Sequence, residues 1–235
     1  MVFIGTSGFF YREWRGIFYP EGLPSNRWLS FYSHYFNALE VNSTFYRLPK
    51  RSSIKRLTRE GSTLNFVFKL YRGITHYRKL TNENISSFLE VKEILGERLI
   101  CLLAQFPNSF RPNQRNLEFL NSLIDKFGNE GILVSVELRN RDWKDFLKEI
   151  KTTVVCSYFP VGLNWLRDCW ETEELSYFRF HGKELYRGSY SDDELREISE
   201  KIKKAKSRVK AVFFNNTADG SAVFNALKLK ELLGL

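Results

Sequence analysis

The stretch ILVSVELRN, Ile132–Asn140, decides the fold. Its first seven residues are short, rich in β-branched and aliphatic side chains, and more continuous than alternating. It leaves through two charges, Glu137 and Arg139. Such a run reads as a strand covered on both faces, as in a parallel sheet. Seven further runs share the look: Val2–Gly5, Ala38–Val41, Phe66–Leu70, Leu99–Gln105, Thr153–Cys156, Tyr177–Phe180 and Ala211–Phe214. Helix-like segments lie between them. They are Asn26–Phe36 behind Ser25, Ser52–Arg59, Asn84–Leu95, Asn116–Phe127 and Trp143–Ile150. Two more follow: one opened by the capping box Ser191–Glu194 and reaching about Lys204, and Ser221–Leu233. Eight βα units in 235 residues predict an α/β fold, a single (β/α)8 TIM-like barrel over residues 1–235. The sixth unit, Pro160–Thr172, is expected to be irregular. A doubly wound open sheet is the alternative.

Composition narrows the class. The chain is 43% hydrophobic and 16% aromatic, which excludes intrinsic disorder and leaves ample material for one core. No window approaches 18 uncharged apolar residues, so no membrane partner is expected. The start, MVFIGTSGFF, has neither a basic region nor a small-residue cleavage site. Cys101, Cys156 and Cys169 are scattered, with no CxxC; Cys101 and Cys156 read as small hydrophobes in apolar runs. Together these features predict a cytoplasmic protein. With only His34, His76 and His181, a His-rich metal site is excluded; no metal ligand is assigned, and the cofactor is left open.

Charge is uneven. The whole net charge of +9 sits in residues 1–80, which hold 13 Lys and Arg against 4 Asp and Glu. Such asymmetry suggests an anionic partner. Two kinds fit: a small anionic metabolite, or a nucleic acid gripped through residues 47–59, where Arg47, Lys50, Arg51, Lys55, Arg56 and Arg59 crowd together.

Nearly every run ends in a polar group, and in a barrel chemistry sits where strands end. The ends carry Ser7, Glu40 with Asn42, Lys69, Gln105, Glu137 with Arg139, Ser157, Arg179 with His181, and Asn215 with Asn216. A charge inside a buried strand is either paired or functional, because desolvating it alone costs several kcal/mol. Glu40 and Glu137 suit an acid/base carboxylate pair, or ion pairs with Arg139 and Arg179. Lys69, if buried, has a lowered pKa and suits a base, a Schiff-base nucleophile, an anion contact or a plain salt bridge. His181 shares a strand face with Arg179 and suits a second acid/base. Arg139, Arg179, Asn42, Gln105, Asn215 and Asn216 suit substrate binding. The amides of Asn215–Ser221 suit a phosphate, unless Asp219 merely caps the last helix. Tyr11, Trp14, Phe45, Tyr46 and Trp143 suit the aromatic walls of a cleft, or ordinary packing of loops over a barrel.

Several segments carry a family likeness: IGTSGFFYREWRGIFYP (Ile4–Pro20), LEVNSTFYRLP (Leu39–Pro49), LLAQFPNSF (Leu102–Phe110), VELRNRDW (Val136–Trp143), YFRFHG (Tyr177–Gly182) and FFNNTADGSAVFNA (Phe213–Ala226). FVFKL, ITHYRKL and YSDDEL add to them, in family order over nearly the whole chain. The chain resembles the domain-of-unknown-function family 72, also called YecE-like. The resemblance implies a TIM-like barrel and supplies no reaction. One departure shows: VVCSYFP lacks an Asp expected near the sixth strand end, and Ser157 stands there. The reading is of an enzyme: acid/base chemistry on a small anionic polar metabolite, sugar phosphate or nucleotide-like, at the C-terminal face. Hydrolase, lyase and isomerase are not distinguished. The alternatives are a nucleic-acid-binding or -processing protein and a non-catalytic metabolite binder.

Overall fold

The computed structural model describes residues 1–159 and 170–235. Its strands are β1 (Val2–Thr6), β2 (Ala38–Val41), β3 (Asn65–Lys69), β4 (Leu99–Phe106), β5 (Val134–Leu138), β6 (Cys156–Tyr158), β7 (Leu175–Phe180) and β8 (Val209–Phe214). All pairings are parallel. The ladders form two four-stranded sheets, in the orders β2-β3-β4-β5 and β1-β8-β7-β6. Where one continuous ladder was expected, single parallel bridges cross the two seams: Ser7 with Glu40, and Val136 with Val154.

The sixth strand is short and displaced from the expected Thr153–Cys156. Thr152 gives its hydroxyl to the Val134 carbonyl, and Thr153 gives its own to the Leu175 carbonyl at 2.7 Å. Before Cys156 the chain makes only isolated bridges, Val154 with Val136 and with Trp170, and the ladder with β7 begins at Cys156. Most of the segment expected to be irregular, Pro160–Thr172, lies outside the described residues. Cys156 is disulfide-bonded, which corrects its reading as a lone apolar packing residue. Cys101 is a free buried thiol, pushed up to about 12 by burial.

Among the described residues the α-helices are α1 (Trp28–Tyr32), α2 (Arg51–Glu60), α3 (Arg72–Thr75), α4 (Asn82–Leu95), α5 (Gln114–Gly128), α6 (Asp192–Lys204) and α7 (Ser221–Leu233). Local chemistry sets their starts. Thr81 and Asn113 cap α4 and α5 by accepting backbone N–H groups, and Ser191 with Glu194 closes both arms of the capping box on α6. The helix expected over Asn26–Phe36 shrinks to α1 behind a 3₁₀ turn, Ser25–Arg27, because Ser25 makes no cap. The segment expected as a helix over Trp143–Ile150 is 3₁₀, Arg141–Glu149. No described helix is long and apolar enough to cross a membrane.

Two apolar clusters result. The larger packs helices against the sheets. The smaller takes Phe3, Ala38, Val67, Cys101, Leu103, Tyr177 and Phe213 from strands of both sheets. Strand side chains alternate, so the residue two positions on from each of these points the same way. Two on from Ala38 is Glu40; from Val67, Lys69; from Leu103, Gln105; from Tyr177, Arg179; from Phe213, Asn215. The face shared by the two sheets therefore turns from apolar to polar at the strand ends.

Candidate functional site

Arg179 is the hub of the polar layer. It is 1% exposed, and both carboxylates it touches are fully buried. Its Nε donates to Glu40 Oε2 at 2.9 Å, and its Nη2 to Glu40 Oε1 at 2.7 Å. Its Nη1 donates to Glu137 Oε2. Glu137 Oε1 accepts from Arg139 Nε at 2.5 Å. The Tyr177 hydroxyl donates to Glu40 Oε2. Paired, multiply hydrogen-bonded charges of this kind are the ones that survive burial.

The electrostatics follow. Burial pushes the Glu40 and Glu137 carboxyls up, but adjacent guanidinia outweigh it: Arg179 for Glu40, Arg139 and Arg179 for Glu137. Both lie below the usual carboxylate range and stay ionised. Burial pulls Arg179 down, yet Glu137 and Glu40 hold it well above its ordinary value. Burial, then the charge of Glu40, raises the Tyr177 phenol well above its usual range.

Lys69 differs from these groups. Its Nζ donates to the neutral amide of Gln105 at 2.6 Å and lies 4.3 Å from the centre of the Phe45 ring. Burial, reinforced by Arg179, lowers its pKa to about 8. This amine therefore exchanges its proton near pH 8. Among the described residues, with His181 neutral, Lys69, Arg139 and Arg179 meet the carboxylates of Glu40 and Glu137, one positive charge in excess.

His181 is fully buried, and burial with the Arg179 charge holds it well below its ordinary pKa. The Asn215 amide nitrogen donates to Nδ1 at 3.0 Å, which leaves the ring proton on Nε2. Nε2 has no partner among the described residues and stands 4.0 Å from Glu137 Oε2. Ser157 Oγ, paired in register with Arg179, is also buried without a partner. The ring stacks on Phe159 at 3.9 Å, and the Arg139 guanidinium lies 4.1 Å from the centre of that Phe159 ring.

The structure thus gathers Glu40, Lys69, Gln105, Glu137, Arg139, Arg179, His181 and Asn215. It sets four other residues apart. Asn216 is fully buried and ties the Gly188 carbonyl to Asn225. Trp14 is fully buried, with its indole N–H on the Thr217 carbonyl, so it joins two loops instead of walling an open cleft. The Tyr11 hydroxyl donates to the Ser7 carbonyl at 2.5 Å. Asn42 and Tyr11 line a neighbouring cavity of about 600 Å³ beside α2. Asp219 accepts from Ser221 and Gly188 N–H groups, so a carboxylate already occupies the N-terminus of α7 where a phosphate was considered. Sequence reasoning missed Tyr177 and Phe159. Tyr177 was findable, since it shares the inward face of β7 with Arg179; Phe159 offers no signal beyond its aromaticity.

A family profile described as "Protein of unknown function DUF72" matches residues 3–235. The chain is 25% identical over 276 residues to UPF0759 protein YunF of Bacillus subtilis, covering 100% of this chain and 95% of that one. The crystal structure of a DUF72 family protein from Thermotoga maritima superposes with a TM-score of 0.81 at 29% identity, covering 100% of both chains. A glycoside hydrolase family 5 enzyme from Prevotella bryantii has a TM-score of 0.54 at 11% identity over 90% of each chain, a likeness of fold alone.

Proposed function

The chain belongs to the DUF72 family, whose function is unknown, and from that premise we propose an enzyme that moves a proton on a small anionic polar metabolite at the C-terminal strand ends. In this reading the two bridged sheets close as a (β/α)8 barrel, and the polar layer is the floor of its mouth. The apolar cluster fed by strands of both sheets supports that closure.

The observation that carries the reading is Lys69. It is a strand-end amine near pH 8, partnered by a neutral amide and not by a carboxylate, in a cluster with a surplus positive charge. General acid–base groups work best with a pKa near the operating pH. Lys69 is then the proton carrier and Arg139, partly open to solvent, holds the substrate anion. Glu40 and Glu137 fix Arg179 and Arg139, and neutral His181 keeps an unpartnered Nε2–H among the described residues. A sugar phosphate or nucleotide-like compound matches this set.

A thermal-shift screen of anionic metabolites tests it. A ligand at 100 times its Kd stabilises by about 2.7 kcal/mol, well within reach of a melting curve. The expected result is a selective stabiliser whose effect disappears in Lys69→Met and weakens above pH 8. A stabiliser that acts equally on Lys69→Met overturns the assignment.

A further inference from the structure

We propose that the cavity beside α2 is a second binding site, for a phosphate ester with an apolar or aromatic body, separate from the Lys69 cluster. The cavity, about 600 Å³, lies between the exits of β1 and β2 and one face of α2. That volume falls within the range of about 300–1,000 Å³ usual for small-molecule sites. Lys69, Gln105 and Arg139 do not line it; the turn Ser43–Phe45 stands between, with Thr44 on the cavity side and Phe45 under the lysine.

The charge on its wall points to a multivalent anion. Arg47, Lys50 and Arg56 line the cavity, and none has a side-chain hydrogen bond or ion pair among the described residues. Of the other basic residues nearby, Arg51 makes a bidentate pair with Glu93 at 2.8 and 3.1 Å, Arg59 faces Glu60 at 3.7 Å, and Lys55 is unpaired among the described residues but lies outside the cavity. The carboxylate in the wall, Glu40, is committed to Arg179 and Tyr177. Three unspent cations therefore surround a hollow with no free anion to meet them. The first turn of α2 adds to the field, since it has neither a capping side chain nor an acidic residue. A phosphate dianion is the small group whose charge and acceptor count match this wall.

The remaining lining selects the body of the ligand. Phe10, Leu48, Pro49 and Phe68 offer apolar surface, and Phe10 is 56% exposed. Asn42 also lines the cavity, and its side-chain oxygen is buried without a hydrogen-bond partner among the described residues.

Calorimetric titration of the whole protein with phenyl phosphate, inorganic phosphate and phenol at constant ionic strength tests the site. Saturable binding of phenyl phosphate is expected, at least tenfold tighter than either fragment. Arg47→Gln and Arg56→Gln are each expected to weaken it at least fivefold, while Arg59→Gln and Lys69→Met leave it unchanged. Arg47, Arg56 and Arg59 are exposed, so those variants fold; Lys69→Met is checked by its melting curve before titration. Equal weakening by Arg59→Gln means diffuse surface attraction and overturns the site. Loss in Lys69→Met with the cavity variants silent puts the ligand in the other cluster and also overturns it. Absence of saturable binding does the same.

Discussion

Arg179 neutralises two buried carboxylates at once, and removing it leaves both without their shared partner. Arg179→Met is expected to cost about 3–5 kcal/mol in urea denaturation, the usual penalty for orphaning a buried ion pair. If the loss is under 1 kcal/mol, the network is not what holds the strand ends. Lys69 works in the opposite sense. Its pKa falls from 10.5 in the unfolded chain to about 8 in the fold, so at pH 7 the fold carries a desolvated ammonium. Between those values the unfolded chain binds the extra proton, and stability rises with pH. Lys69→Met should therefore raise stability at pH 7, by up to about 3 kcal/mol, with the gain shrinking as pH passes from 8 to 10.5. Melting temperatures across that window check it. His181 acts on the acid side. Burial keeps its ring neutral where an unfolded histidine charges, so stability falls as pH drops below 6.5. His76 is lowered in the same direction, also by burial. His181→Gln should make the slope of melting temperature against pH shallower between pH 6.5 and roughly 5, with the His76 part remaining.

At the scale of elements, Gly182 fixes how β7 hands over to its loop. It has φ +88°, and a Cβ there would stand 2.0 Å from the Arg187 carbonyl oxygen. Neither backbone can yield while the Gly182 N–H bonds the Tyr190 hydroxyl at 2.9 Å. Gly182→Ala is expected to lose about 3 kcal/mol or more, measured by thermal melting. The elements also show what a sequence reveals. The bounds of α7, Ser221–Leu233, and the capping box of α6 were readable because their signals lie within a few residues. The polar strand ends were readable for the same reason, through alternation. The partner of each was not: Glu40 and Arg179 are 139 residues apart, and only the fold joins them. α3, four residues long, lacks the length for a periodic pattern, and the run expected as the sixth strand holds only isolated bridges at Val154, its ladder starting at Cys156.

At the scale of the molecule, the smaller apolar cluster is shared by both sheets, so neither sheet keeps its inner face covered alone. One cooperative unit over residues 1–235 is the expected outcome. Urea unfolding followed by tryptophan fluorescence and by far-ultraviolet circular dichroism should give coincident single transitions. Two separated transitions would divide the chain into independent parts. The pairing order has one more consequence, for the chain as it is made. β2 to β5 neighbour one another in sequence order, so that sheet can assemble as residues 38–138 leave the ribosome. β1 cannot join its sheet that way, because its ladder partner is β8, Val209–Phe214. At roughly 5–20 residues per second, the first strand waits about 10–40 s for the last. For that interval Phe3 and Ile4 stand without their mates Ala211 and Val212, two apolar side chains left to the solvent until the last strand arrives.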